Sequence, residues 1–173
     1  MTTLTGTMTV NAAFLREIKD DNRSLQDVLT TLRELTMKRV VLRNHVHQFV
    51  ELLEDLRDKL AVHFALEEAY GYFDEAIEAA PRIAERAEQL RSEHLDLFKS
   101  IRRIADQAVQ WRTTHANSAN QHRNGSRYGA TGVHALLRIV NHFRHFDDQL
   151  MQHEQSENVL ILDAFCTDIG GEG

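Results

Sequence analysis

Apolar residues from Asn11 onward recur at alternating steps of three and four, the spacing that keeps one face of an α-helix against a common core. This spacing predicts four amphipathic helices, each with one apolar stripe. A single proline, Pro81, also favours long uninterrupted helices. The four stripes consist, in chain order, of Phe14, Ile18, Leu25, Val28, Leu32 and Leu35; of Val46, Phe49, Leu53, Leu56, Leu60, Phe73 and Ile77; of Ile83, Ala87, Leu90, Leu97, Ile101, Ile104, Ala108 and Trp111; and of Val133, Leu136, Ile139, Phe143, Phe146, Leu150, Leu160 and Ala164.

Turn-forming residues separate the stripes. Residues 38–43 are expected to form a short link, with Asn44 as the N-cap of the second helix. Pro81 suits the start of the third helix, and residues 115–132, rich in Asn, Ser and Gly, predict a long polar loop before the fourth. Short first and second connections favour antiparallel neighbours. The expected fold is therefore all-α, an up-down-up-down antiparallel four-helix bundle.

One folded domain is expected, because 173 residues with 42% hydrophobic and 27% charged side chains have ordinary globular composition. We assign it to residues 11–169, with residues 1–10 as a flexible N-terminal segment and residues 170–173 as a flexible tail. Charged residues break every apolar run before the roughly 18–20 residues that a membrane helix needs. The start of the chain also lacks the basic flank and apolar block of a signal peptide. A cytoplasmic protein with no membrane partner is therefore expected.

Cysteine content and charge exclude two further classes of protein. The single cysteine, Cys166, cannot form a disulfide within the chain, so a disulfide scaffold is not expected. The net charge of −6, with acidic and basic residues interleaved, leaves no basic stripe for phosphate backbones, so no nucleic-acid partner is expected. Ten histidines is a high count for this length and indicates a use for imidazole.

Polar residues interrupt each apolar stripe at one place. They are Asp21 and Asn22 in the first helix, His63 and Glu67 in the second, His94 in the third, and His153 and Glu157 in the fourth. In the second and fourth helices, the histidine precedes the glutamate by four residues, which puts both on the same helix face one turn apart. Each helix therefore turns polar side chains toward the core.

These polar positions also share one level of the bundle. Two residues on antiparallel neighbours face each other when the connecting turn lies midway between them in sequence. The midpoint of residue 22 and His63 falls at the first link. The midpoint of His63 and His94 falls beside Pro81, and that of His94 and His153 falls in the polar loop.

Burying imidazoles and carboxylates together costs several kcal/mol per group unless something compensates for it. A metal ion provides this compensation, and the two His-x-x-x-Glu pairs with His94 offer ligands for two ions. Nitrogen and oxygen ligands favour iron, with manganese as the alternative, over thiolate-bound zinc. Ferritin-like di-iron bundles are excluded because they use Glu-x-x-His pairs, and no histidine here follows a glutamate by three residues.

Three segments carry a resemblance to a known family: His63-Phe64-Ala65-Leu66-Glu67-Glu68, Ser92-Glu93-His94-Leu95, and His153 with Glu157. Over nearly its whole length the chain resembles the hemerythrin-like, or HHE cation-binding, family of four-helix bundles with a non-haem di-iron centre. The resemblance implies that Glu67 and Glu157 are bridging carboxylates and that the three histidines are terminal ligands. A solvated role is expected for Glu154, with an additional carboxylate ligand as the alternative.

The chain departs from the family pattern in three ways. Asn22 stands where the family's first helix usually has a histidine, so one iron needs Asp21, water or the Asn22 amide oxygen, or the chain holds a single metal. Phe98 lies four residues after His94, where oxygen carriers have a second histidine, so the site resembles the carboxylate-rich regulatory and redox members. The N-terminal cysteine segment of the iron–sulfur repair members is missing, which argues against that role.

The resemblance implies a non-haem di-iron protein that binds or senses oxygen, nitric oxide or peroxide, or that stores or senses iron. An enzyme is not the preferred interpretation. The alternatives are a di-iron redox enzyme acting on peroxide or another small oxidant, and a metal-free helical interaction module. The expected partners are a small gas or oxidant and a protein that reads the state of the site, and pairing into a homodimer is left open.

Overall fold

The computed structural model describes residues 23–116 and 129–166, and every regular element within them is a helix. The elements are α1 (residues 23–37 of the first helix), α2 (Arg39–Asn44), α3 (Val46–Tyr70), α4 (Asp74–Ala79), a 3-10 turn (Pro81–Ile83), α5 (Ala84–Ala116) and α6 (Gly129–Cys166). The structure does not describe residues 1–22, 117–128 and 167–173. The predictions for Asp21, Asn22, the two flexible ends and the middle of the polar loop therefore lie outside the described residues. Among the described helices, none is long and apolar enough to cross a membrane.

Side-chain contacts between helices establish their directions. In α1, Gln26 and then Arg33 contact Glu154 and then Asp147 of α6, so the partner number falls as the chain advances and the two helices run antiparallel. The same relation holds elsewhere: the contacts are Glu54 to Arg112 and Glu67 to His94 between α3 and α5, and Glu93 to His153 and Gln107 to His142 between α5 and α6. The predicted antiparallel bundle is confirmed.

The predicted stripes form the core. Every stripe residue within the described ranges is buried, except Ile77 and Val133, which are half-buried. Toward the α2 end, the stripes meet in an apolar region around Phe49, Leu53 and Phe143, which we call the apolar half. There the Phe49 and Phe143 rings pack edge to face with centroids 6.4 Å apart, a geometry that aromatic pairs favour.

The second helix ends earlier than its stripe predicts. The pattern continues to Ile77, but α3 ends at Tyr70 and Gly71 adopts a left-handed conformation with φ of 62°. Its N–H bonds to the Glu67 carbonyl, and a Cβ at residue 71 would collide with the Asp74 carboxylate. Glycine is the residue that tolerates this conformation. The stripe resumes in α4, which packs against α6.

The first link and the polar loop also differ from expectation. Residues 38–43 do not form a simple link, because α2 begins at Arg39. Asn44 is the last residue of α2, and His45 is the N-cap of α3, so the capping prediction is wrong. The loop prediction of residues 115–132 is too wide, because α5 continues to Ala116 and α6 begins at Gly129. Pro81 opens the 3-10 turn that leads into α5, as its fixed φ favours.

Candidate metal centre

Polar side chains are rare in the core, and most of them are the predicted ones. The buried polar residues of the described ranges are Thr36, His63, Glu67, His94, His153 and Glu157. All but Thr36 were predicted from the stripes, and each of these five is at most 6% exposed. They gather at one level, which we call the polar layer. The predicted convergence of the three helices α3, α5 and α6 is therefore present.

Helix α3 contributes the first pair of the polar layer. Its four-residue spacing places His63 Nε2 3.2 Å from Glu67 Oε1, one turn along the buried face. The second carboxylate oxygen, Glu67 Oε2, lies 3.5 Å from Nε2 of His94 on α5. Glu67 thus lies between imidazoles of two different helices.

Helix α6 repeats this arrangement on the other side of His94. Glu157 Oε1 lies 3.5 Å from His94 Nε2 and 3.2 Å from His153 Nε2. The three Nε2 atoms and the two carboxylates therefore form a continuous chain of contacts, with His94 at its centre. The Phe64 ring stacks on the His94 ring, with centroids 4.2 Å apart and planes inclined by 7°, which fixes the plane of the central imidazole.

The polar layer does not satisfy its own hydrogen bonds. Glu67 Oε2, His94 Nδ1 and His153 Nε2 are buried atoms without a hydrogen-bond partner. Glu157 Oε1 lies 3.2 Å from His153 Nε2, within ion-pair distance. Buried polar atoms without partners cost free energy, and nitrogen and carboxylate oxygen are the donor types that a divalent metal binds. The residues present therefore fit a metal ion.

Charges within the layer shift the pKa values of its α6 pair. Burial alone lowers the pKa of His153, but the carboxylates of Glu157 and Glu93 outweigh it and raise that pKa above its ordinary value. For Glu157, burial favours the neutral acid, but His153 and His94 outweigh it and the pKa lies below its ordinary value. Both shifts favour the charged forms, an imidazolium beside a carboxylate.

One part of the layer already has the dimensions of a metal site. Single ligand atoms of His94, His153 and Glu157 lie within 4.8 Å of one another. His63 and Glu67 continue the layer from His94, and the predicted contributions of Asp21 and Asn22 lie outside the described residues. The structure thus brings five of the seven predicted ligands together, and their binding of metal remains a prediction.

Carboxylates on the outer side of the histidines were not predicted. His153 Nδ1 donates a hydrogen bond of 3.0 Å to Glu93 Oε2, and Glu68 Oε1 lies 3.5 Å from His94 Nδ1. A hydrogen-bonded carboxylate in the position of Glu93 orients a metal-binding histidine and sets its tautomer, whereas Glu68 makes no hydrogen bond to His94 Nδ1. Glu93 directly precedes His94 in the sequence, but its contact is with α6, so only the tertiary arrangement reveals its role.

Glu154 and Tyr72 also border the layer. The expected solvated role of Glu154 is wrong in part, because it is half-buried and both its oxygens accept from Gln26 Nε2 at 3.2 and 3.3 Å. Burial raises its pKa. Burial, together with the charges of Glu157, Glu67 and Glu154, raises the pKa of Tyr72 to about 12, so its phenol keeps its proton at neutral pH.

The remaining described histidines lie away from the layer. His45, His47, His134, His142 and His145 are exposed, and the His115 ring stacks on Trp111 with centroids 4.8 Å apart. No second group of three histidine, cysteine or acidic residues in the described ranges has metal-binding dimensions. The structure therefore contains one candidate centre among these residues.

Comparisons with known proteins agree with this site at the level of the family. Neither curated proteins nor solved structures gave a match. The model of the hemerythrin HHE cation-binding domain matches residues 13–122, more than half of the chain, including His63, Glu67 and His94. His153 and Glu157 lie beyond the match, and the fold places them opposite the matched residues. The chain belongs to the hemerythrin HHE cation-binding domain family.

Proposed function

We propose that this protein binds non-haem iron in the polar layer, as a di-iron centre that the three histidines of the layer, Glu67 and Glu157 would hold. The centre meets a small oxidant or gas, such as oxygen, nitric oxide or peroxide, in a sensing or storage role. One observation carries this proposal. Each of the two buried carboxylates contacts two imidazoles, in a layer where three polar atoms lack hydrogen-bond partners.

The donor set supports iron. Three imidazole nitrogens and two carboxylates are intermediate ligands that suit iron and also manganese, and no thiolate is among them. The two oxygens of Glu67 face different histidines, so this carboxylate would hold metal together with both His63 and His94. A single ion bound by His94, His153 and Glu157 is the simpler alternative. Bound iron supplies electrons and an exchangeable ligand position.

Burial of the layer supports a small external ligand. All five of its side chains are buried, and Phe64 covers the central imidazole. Such an enclosure admits diatomic molecules or peroxide more readily than an organic substrate. It also excludes bulk water, which strengthens the electrostatic interactions inside.

The test is metal analysis of protein reconstituted with ferrous iron without oxygen. The native chain is expected to retain about two iron ions, and His63→Ala and Glu157→Ala are expected to retain fewer, because each loses a ligand. His142→Ala is the matched control, since His142 is an exposed histidine of α6 away from the layer. Unchanged iron in both ligand variants, or none in the native chain, contradicts the proposal.

Addition of nitric oxide or peroxide to the loaded protein then distinguishes binding from catalysis. A change in the absorption spectrum that saturates at stoichiometric ligand supports sensing or storage. Repeated consumption of peroxide with an electron donor instead supports the redox enzyme.

A further inference from the structure

Two surface grooves flank α5 at the level of the polar layer. The α5–α6 groove has a volume of about 320 Å³, and Glu93, Asp96, Gln149, Gln152 and His153 are among its lining residues. The α3–α5 groove has a volume of about 470 Å³ and is lined in part by Glu68, Asp74, Glu88 and Arg91. A metal ion must pass from solvent into a layer of buried side chains, and each of these two grooves is lined by a residue that belongs to the layer or contacts it.

The α5–α6 groove connects solvent directly with a residue of the layer. His153 lines it, although its side chain is only 2% exposed, and the His153 Nε2 atom inside has no hydrogen-bond partner. Its outer Nδ1 donates to Glu93, whose side chain is 41% exposed. One contact of 3.0 Å therefore joins a solvent-accessible carboxylate to the candidate centre.

The charge of this groove favours a cation. Its lining contains two carboxylates, Glu93 and Asp96, and no lysine or arginine. Lys99, which is not in the lining, contacts Asp96 at 3.3 Å, but both side chains are largely exposed and such pairs are weak. The groove thus presents negative charge together with neutral oxygen donors from its glutamines.

The α3–α5 groove is different, because a cation of the protein already lies in it. Arg91 contacts Asp74 at 2.6 Å and Glu88 at 3.9 Å, so two of its carboxylates are paired. The guanidinium repels an approaching metal ion. Three carboxylates and one guanidinium give this lining a formal charge of −2, equal to that of the α5–α6 groove, so the difference is that a metal ion here has to displace Arg91 from Asp74.

We propose that the α5–α6 groove is the entry path for the divalent cation, with Glu93 and Asp96 capturing the ion at the surface and Glu93 bringing it beside His153. This inference rests on the proposed function, because it assumes that the polar layer binds metal. It adds that the acidic groove determines the rate of loading, whereas the layer determines how much metal is held.

The experiment measures the rate of metal uptake by metal-free full-length protein mixed rapidly with ferrous ion without oxygen, and separately with manganous ion. At low ionic strength, Glu93→Gln/Asp96→Asn is expected to load about 3- to 10-fold more slowly, because a like-charged lining concentrates counter-ions. The single variant Asp96→Asn, which leaves the Glu93 hydrogen bond to His153 in place, is expected to reach the final metal content of the native chain. Salt is expected to remove most of the difference in rate, since exposed charges are screened.

Glu88→Gln is the matched control. Like the single variant Asp96→Asn, it removes one exposed carboxylate of α5, but from the α3–α5 groove. The two side chains are similarly exposed, Glu88 to 76% and Asp96 to 82%. We expect Asp96→Asn to slow loading and Glu88→Gln to leave it unchanged. Circular dichroism establishes that each variant is folded before it is mixed.

Each outcome either supports or contradicts the proposed entry path. Equal loading rates for the native chain and the double variant overturn the entry path, as does slower loading of Glu88→Gln with Asp96→Asn unaffected. If Glu93→Gln loses final metal content while Asp96→Asn loads at the native rate, Glu93 only orients His153, and the entry path is wrong. If the native chain takes up no metal, the proposed function itself fails.

Discussion

Two regions of the bundle core, the apolar half and the polar layer, are built on the same helices but affect stability in opposite ways. In the apolar half, the stripe positions hold residues such as Phe49 and Phe143, whose burial alone stabilises the fold. In the polar layer, the same stripes hold His63, Glu67 and Glu157, whose burial is costly without compensation. The comparison indicates that the apolar half provides the stability on which the polar layer depends.

The halves also differ in how completely they satisfy their own contacts. The Phe49 and Phe143 rings meet in a favourable edge-to-face arrangement. The polar layer has histidine-to-carboxylate distances of 3.2 to 3.5 Å and three buried atoms without hydrogen bonds. Unsatisfied contacts of this kind are expected in a region that binds an ion. Stability and metal binding can therefore be tested separately, by variants in the apolar half and in the polar layer.

The largest effect is expected from a cavity in the apolar half. Phe143→Ala should lower the free energy of unfolding by about 3–5 kcal/mol, because it removes a fully buried ring. Chemical denaturation measures this loss. Phe165→Ala, at a 48% exposed position of the same helix, is the control and should change stability by less than about 0.5 kcal/mol.

The milder Phe143→Leu should retain the native iron content, because the apolar half contributes no ligand. Loss of iron from this variant in its folded state would show that the two halves are not separable.

A second prediction concerns the metal itself. Ferrous ion at about 100 to 1,000 times its dissociation constant should raise the free energy of unfolding by about 3–4 kcal/mol, because it binds only the folded chain. Glu157→Gln should lose most of this gain while keeping the shape of the side chain. Chemical denaturation with ferrous ion and with a strong chelator measures the difference. An equal gain in both proteins would place the metal elsewhere.

The pH dependence of the metal-free protein is the third prediction. The lowered pKa of Glu157 adds stability that is present above its unfolded value, about 4.3, and is lost as the pH falls through the folded value. The raised pKa of His153 adds stability that is complete below its unfolded value, about 6.5, and is lost as the pH rises through the folded value. Thermal unfolding should therefore show a maximum between these two limits.

Bound metal should remove the loss on the alkaline side, because it replaces the proton on the imidazole. The control His142→Ala should keep the profile of the metal-free protein. Identical profiles with and without metal would contradict this interpretation of His153.

The smallest effect is expected outside both halves. Arg33 contacts Asp147 through two hydrogen bonds of 2.7 and 2.8 Å between α1 and α6. Because Arg33 is partly exposed, Asp147→Asn should cost no more than about 1 kcal/mol and leave the iron content unchanged. A double-mutant cycle with Arg33→Gln measures the coupling. A much larger value would mean that surface pairs, rather than the apolar half, hold α1 in place.

Periodicity alone predicted most of the fold and the polar layer. Residues such as Leu53, Leu97 and Phe143 are buried as their spacing predicts. His63 and His94 both contact Glu67, because helical rise fixes depth along antiparallel neighbours.

The structure differs from the sequence predictions where local backbone conformation or contacts between helices determine the outcome. The stripe continues past Gly71, so it does not reveal that the chain turns there through a left-handed residue. The α2 helix within the predicted first link left no clear signal. Glu93 belongs to a segment that carries the family resemblance, but its contact with His153 comes from the neighbouring helix α6, which no pattern within α5 encodes.

The most direct test of the central idea is anomalous X-ray scattering at the iron edge from crystals of the reconstituted protein. Strong peaks are expected in the polar layer, within coordination distance of His94, His153 and Glu157, with a second ion beside His63 and Glu67. Iron found only at the protein surface, or a polar layer without anomalous signal in crystals that contain iron, would contradict the metal centre.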